Sequence, residues 1–299
     1  MKTLFRRASA ALLPALLIGA APAPAAVPAL PDAEPAMWVV KDADTTIYLF
    51  GTFHALDGKR DWFNDEVRQA FDASQDVVLE VITPDNPAEL GPIVLKYALD
   101  TTGKTLTSKL SLKSQQALAA TLKGYGMPAN ALDKYKPFFA SLTLTTLQFG
   151  KLGMGPEAGA EAVLKKAATT SGKKLGSVET IDDQLGMFAA LSEAEQIKLL
   201  ESSLEDSAAM GSEISKMLEA WNHGDAKAVA SAIQQSDTDS PALYKMMFTD
   251  RNARWVEWVD RRLATPGTVF MAVGAGHLAG DRSVVGLLRR QGHRVSRVQ

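Results

Sequence analysis

Runs of β-branched and aromatic residues gather towards the two ends of the chain, and a helical period fills most of what lies between. Trp38-Val39-Val40 and Thr46-Ile47-Tyr48-Leu49-Phe50 flank the polar Lys41-Asp42-Ala43-Asp44, which predicts a β-hairpin. The second strand of that hairpin runs straight into Gly51-Thr52-Phe53-His54. Between Asp61 and Ser74, Phe63, Val67, Ala70 and Phe71 recur at helical spacing, and Val77-Val78-Leu79-Glu80-Val81 then reads as a buried strand. From about 87 to 170 the period is helical, broken around Gly124 to Pro128 and Gly150 to Gly159. Lys173 to Val178 is a weaker strand candidate, and amphipathic helices follow in series from Asp182 to Ala264, the last starting near Arg251. Thr268-Val269-Phe270-Met271-Ala272-Val273 is a strand ending at Gly274-Ala275-Gly276-His277. Asp281 or Ser283 can cap a helix carrying Val284, Val285, Leu287 and Leu288, which Gly292 stops before a terminal strand over 294–298.

This order predicts an α/β (α+β) fold. A central mixed sheet is built from the N- and C-terminal parts, flanked by helices, with a large helical middle region. The expected layout is a signal peptide over 1–26, an Ala/Pro-rich linker over 27–36, and one domain over 37–299 with a helical insertion at about 87–170. The leader rests on Lys2, Arg6 and Arg7 ahead of the apolar run Ala8 to Ala21, followed by the small-residue site Ala23-Pro24-Ala25. Cleavage after Ala25 or Ala26 would start the mature chain near Val27 and leave no membrane anchor, so the expected location is periplasmic or secreted.

Composition narrows the chemistry. There is no cysteine among the 299 residues, which excludes disulfides, thiolate metal sites and an acylated lipoprotein anchor. Without Lys2, Arg6 and Arg7 the 32 basic residues fall to 29 against 34 acidic ones, and no basic patch recommends nucleic acid as a partner.

Of the four histidines, His54 and His277 each follow a strand-ending glycine by three residues. A glycine at a strand end lets the chain turn without a Cβ clash, and the carboxyl edge of an open α/β sheet is where ligands bind. The two rings are therefore expected to face one crevice, joined by Glu80 from the end of the next buried strand. Two imidazoles and a carboxylate are a common ligand set for a catalytic divalent ion such as Zn, Mn or Co, among which nitrogen and oxygen donors do not choose. Glu80 could be a ligand or a general base. Arg251 could pair with a catalytic carboxylate, hold an oxyanion, a role open also to a backbone amide near Gly274, or form a surface ion pair. Glu179, at the end of the weaker strand, raises the same choice and is placed with Glu80 and Arg251 among the catalytic candidates. His223 reads as a helix-end residue and His293 as structural.

These motifs, Ile47 to His54, Val78-Leu79-Glu80, Val178-Glu179-Thr180 with Gln184, Asp250-Arg251-Asn252 and Val273 to Gly280, resemble in their order the TraB/GumN family, which is similar to the Tiki metalloproteases. The resemblance covers nearly the whole mature chain. It implies divalent-metal peptide cleavage centred on His54, His277 and Glu80. One departure is Gly159-Ala160-Glu161, where the family often shows Gly-hydrophobic-Asp, so Glu161 is not among the expected site residues. The expected function is an exported metal-dependent hydrolase acting on peptide or protein, with a non-catalytic peptide- or polysaccharide-binding protein as the alternative.

Overall fold

The computed structural model describes residues 29–204 and 207–299. The expected leader and the first two residues of the expected linker lie outside them. Residues 31–36 do not behave as a linker. Ala33 and Ala36 are buried, and the Ala33 N–H and the Pro31 carbonyl bond the backbone of Asp61. Alanine and proline lack the bulk to build a core alone, but their small side chains let this segment lie flat against one. The same pairing shortens the helix expected from Asp61, because Asp61 is spent on a backbone bridge and Asn64 becomes the first cap. Helix α1 spans Asp65–Ala73.

Six strands form one mixed sheet: β1 (Met37–Lys41), β2 (Thr45–Thr52), β3 (Asp76–Val81), β4 (Lys174–Glu179), β5 (Gly267–Gly274) and β6 (Val295–Arg297), in the order β4-β3-β5-β2-β1-β6. The hairpin β1–β2 closes as expected, with the Asp42 carboxylate accepting the Thr45 N–H at 2.9 Å. The C-terminal strand β5 slides between β2 and β3 and runs parallel to both. Alternation along the central strands sends Phe50, Phe270 and Ala272 to one face with Trp62, Phe71 and Trp221. Ile47, Leu49, Val269 and Met271 go to the other, against Trp255, Val256 and Val259.

The expected insertion is helical: α2 (Leu90–Ala98), α3 (Leu106–Lys109), α4 (Leu112–Gly124), α5 (Pro137–Lys151) and α6 (Ala160–Thr170). After β4 come α7 (Ile181–Ala189), α8 (Glu193–Leu204), α9 (Ser207–Asn222), α10 (Ala226–Asp239) and α11 (Pro241–Tyr244), a π-helical turn over Lys245–Thr249, and α12 (Asp250–Leu263). Helix α13 (Val284–Arg290) carries the expected Ser283 cap, whose hydroxyl accepts the Gly286 N–H at 3.1 Å. The insertion has a core of its own, Leu106, Leu118, Leu122, Leu144 and Leu200, so α8 completes what α3 to α5 begin.

Lys109 closes this helical region from below, bonded to Asp100 and Glu193, with only 4% of its side chain exposed. Burial alone would raise Asp100, but the bonds from Lys109 and Thr102 outweigh it and bring the carboxyl down from 3.8 to about 2. A carboxylate depressed in the folded state adds stability above its unfolded value and loses it as pH falls through the folded one. Asp100→Asn is expected to lower the urea midpoint at neutral pH, and the gap to the parent should close as pH drops from about 4 to about 2.

Candidate active site

The strand register sets the site. Gly51 pairs with Val273 and Thr52 with Gly274 across β2 and β5, and Leu79 pairs with Ala272 across β3 and β5. His54, Glu80 and His277 therefore leave three adjacent strands at one carboxyl edge. All three line a single cavity of about 360 Å3. Gly274 eases the packing there, though not through an unusual backbone angle, since its φ is −47°. A Cβ on Gly274 would stand 3.3 Å from His54 Nε2 and 3.4 Å from Glu80 Oε2, so the glycine clears the space those two groups share.

The polar groups form one connected network. Glu161 Oε1 meets His54 Nδ1 at 2.6 Å and accepts the Thr52 hydroxyl at 2.5 Å. Asn252 donates its amide N–H to the Arg282 carbonyl at 2.9 Å, which turns its Oδ1 towards His277 Nδ1 at 2.7 Å. His277 Nδ1 must then carry the proton, and its Nε2 lone pair accepts an Nη1–H of Arg251 at 3.1 Å. Arg251 Nη2 donates to Glu80 Oε1 at 2.5 Å and to Glu179 Oε2 at 2.6 Å. Its Nε–H also faces Glu179, at 2.9 Å, and Nη1 reaches the Met247 carbonyl at 3.2 Å. Glu80 Oε2 accepts the Gly274 N–H at 3.0 Å, and Gln184 donates to Glu80 Oε1 at 2.9 Å.

Protonation follows from these neighbours. The Glu161 carboxylate raises His54 from 6.5 to about 9, against the opposing effect of burial, and Glu80 adds to it. The ring nevertheless opens on the cavity, with 65% of its side chain exposed, so water screens part of that attraction. Burial lowers His277 to about 3, with Arg251 pushing the same way, and its ring is packed between Trp255 and Phe248. Burial acts to raise Glu80, but His277, His54 and Arg251 together hold it well below the usual carboxylate range. The two rings are thus pushed in opposite directions, His54 towards its charged form and His277 towards its neutral one.

The sequence profile of the TraB/PrgY/gumN family matches residues 36–297. The chain belongs to that family. It is similar to the uncharacterized protein YbaP of Escherichia coli K12, 25% identical over 186 residues that cover 62% of this chain and 69% of YbaP. An uncharacterized protein of Treponema pallidum (strain Nichols) is 22% identical over 271 residues, covering 85% and 80% of the two chains. No solved structure matches.

For this family member the structure brings together four expected residues, His54, Glu80, His277 and Arg251, and alters the roles of two candidates. Arg251 has no N–H free for an oxyanion as the network stands: a guanidinium has five N–H groups, and Glu179, Glu80, His277 and the Met247 carbonyl take them all. The Gly274 N–H is likewise occupied by Glu80. Glu179 lies behind Arg251, bonded also by Trp255 Nε1 at 3.2 Å, and does not line the cavity. It positions Arg251 and touches nothing that could react. His223 and His293 stand apart, on the Glu219 carbonyl and on Asp260. Glu161 and Asn252 are the residues that sequence reasoning missed in these roles. The only signal for Glu161 was its place in a family motif, and there its extra methylene counted against it.

Among the described residues no three His, Asp or Glu side chains form a ready-made metal cage. The donor set nonetheless suits an ion. Each ring's Nδ1 faces an oxygen, the arrangement by which an outer hydrogen bond orients a metal-binding histidine, and His54 Nε2 is left towards the space it shares with Glu80. An ion on His277 would require the Arg251 N–H to move off its Nε2.

Glu179 accepts from Arg251 Nε and Nη2 and from Trp255 Nε1, so removing it strands buried N–H donors even though Glu80 still balances the guanidinium charge. Glu179→Ala is expected to cost about 1–3 kcal/mol in urea denaturation, the usual penalty for leaving buried donors without an acceptor.

Proposed function

We propose that the cavity hydrolyses a peptide bond with a divalent ion, Zn, Mn or Co, held by His54, Glu80 and His277. The observation that carries this reading is the convergence of the two histidines and Glu80 on one open cavity, with each Nδ1 anchored from behind. A divalent ion supplies Lewis acidity there, activating water and polarising a carbonyl oxygen. The low pKa of Glu80 favours a ligand over a general base, because a base works best near the operating pH. His54, the most open of the three, would meet the substrate first.

The rest of the cavity supports a peptide over a polysaccharide. Met217, Trp221, Val229, Ile233, Met247 and Phe248 make its wall apolar, which suits a bulky apolar side chain next to the bond to be cut and offers little to sugar hydroxyls. Isothermal titration of the purified protein should show one divalent ion per chain, and His54→Ala combined with His277→Ala should abolish it. Unchanged metal content in that double variant rules the reading out. Cleavage of a peptide library should stop in chelator and return with added Mn or Zn.

A second reading, binding of apolar peptides without catalysis, is favoured by one observation: Arg251 already holds the His277 lone pair and a Glu80 oxygen. It predicts peptide binding that chelator leaves intact. Both readings take the protein to be exported by residues 1–26. Mass measurement of periplasmic material should then find a mature chain starting at Ala26 or Val27, and an intact Met1 would refute export by cleavage.

A further inference from the structure

The helical insertion meets the first Gly-x-x-His loop just ahead of α6, and the contact is close. The chain ahead of α6 runs along the first Gly-x-x-His loop: Leu56 and Gly155 exchange backbone bonds at 3.2 and 2.9 Å, and the Ala160 N–H donates to the Phe53 carbonyl at 3.1 Å. A Cβ on Gly159 would lie 2.1 Å from the His54 carbonyl oxygen and 2.8 Å from its carbon, so backbone meets backbone with no room for a side chain. Glu161 stands in the first turn of α6, and its carboxylate reaches both Thr52 and His54 Nδ1 from there.

We propose that Glu161 is a positioning residue for His54, making the end of the insertion part of the active site. The inference deepens the reading of the cavity as a divalent-ion site and rests on it only for its functional consequence. A carboxylate oxygen is solely an acceptor, so at 2.6 Å it keeps the proton on His54 Nδ1 whether the ring is charged or neutral, and Nε2 is the nitrogen left for a ligand. Thr52 donates its hydroxyl to the same oxygen and so holds the carboxylate towards the ring. The longer side chain of glutamate suits this frame. The Gly159 contact sets how close α6 approaches.

Three variants test this on the intact protein. Glu161→Ala removes the acceptor, Glu161→Gln keeps an acceptor oxygen without charge, and Gly159→Ala retains the glutamate but pushes α6, and the carboxylate with it, away from His54. The first readout is the 15N shift of His54 Nδ1 in metal-free protein at alkaline pH, where the ring is neutral. The parent and Glu161→Gln should keep the proton on Nδ1, whereas Glu161→Ala and Gly159→Ala should move it mainly to Nε2. The second readout is Zn affinity, expected to fall about 10–100-fold in Glu161→Ala, the usual effect of losing an outer-shell partner. Thermal melting identifies any variant that has simply unfolded, in which case the other two decide. A parent protein that binds no Zn would defeat the metal reading yet leave the Nδ1 measurement decisive for Glu161. Nδ1 protonation unchanged in folded Glu161→Ala would overturn the proposal itself.

Discussion

The site depends on a buried guanidinium with no N–H to spare. Arg251, carried by α12, reaches the ends of β3 and β4 through Glu80 and Glu179 and the loop after β5 through His277. A buried arginine is costly unless each donor finds an acceptor, and here the acceptors come from separate stretches of the chain. Their satisfaction holds those stretches together at one height above the sheet. It also holds Glu80 ionised in surroundings where burial alone would favour the neutral acid.

Around that arginine the two histidines are placed in opposite electrostatic settings. His277 packs against the Trp255 and Phe248 rings, burial favouring its neutral form and Asn252 fixing its Nδ1 proton. His54 sits at the mouth of the cavity beside Glu161, whose carboxylate favours the charged ring. The apolar wall supplied by α9 to α11 and the π-helical turn faces this polar edge across the cavity. The sheet thus supplies the polar groups, and the later helices supply a surface that excludes water.

The helical insertion could be taken for a separate module, since it has its own leucine core. Its last helix argues otherwise. Gly159 and Ala160 press on the backbone of residues 53 and 54, so the insertion cannot shift without moving His54.

Much of this was legible from the sequence by itself. Alternating and helical periods located the strands and most helices, because burial on one face imposes those periods whatever the neighbours are. The glycine before each histidine marked both strand ends, and Glu80 stood out as an acidic residue closing an apolar run. Tertiary structure alone decided the rest. That β5 enters between β2 and β3 is a long-range pairing with no local signature, and it is what puts His277 beside His54 and Glu80. That Glu179 serves Arg251, that the arginine has no free donor, and that Glu161 reaches His54 are all questions of which polar group finds which partner. Residue type states how many hydrogen bonds a group can make, but only the packed chain determines where they go.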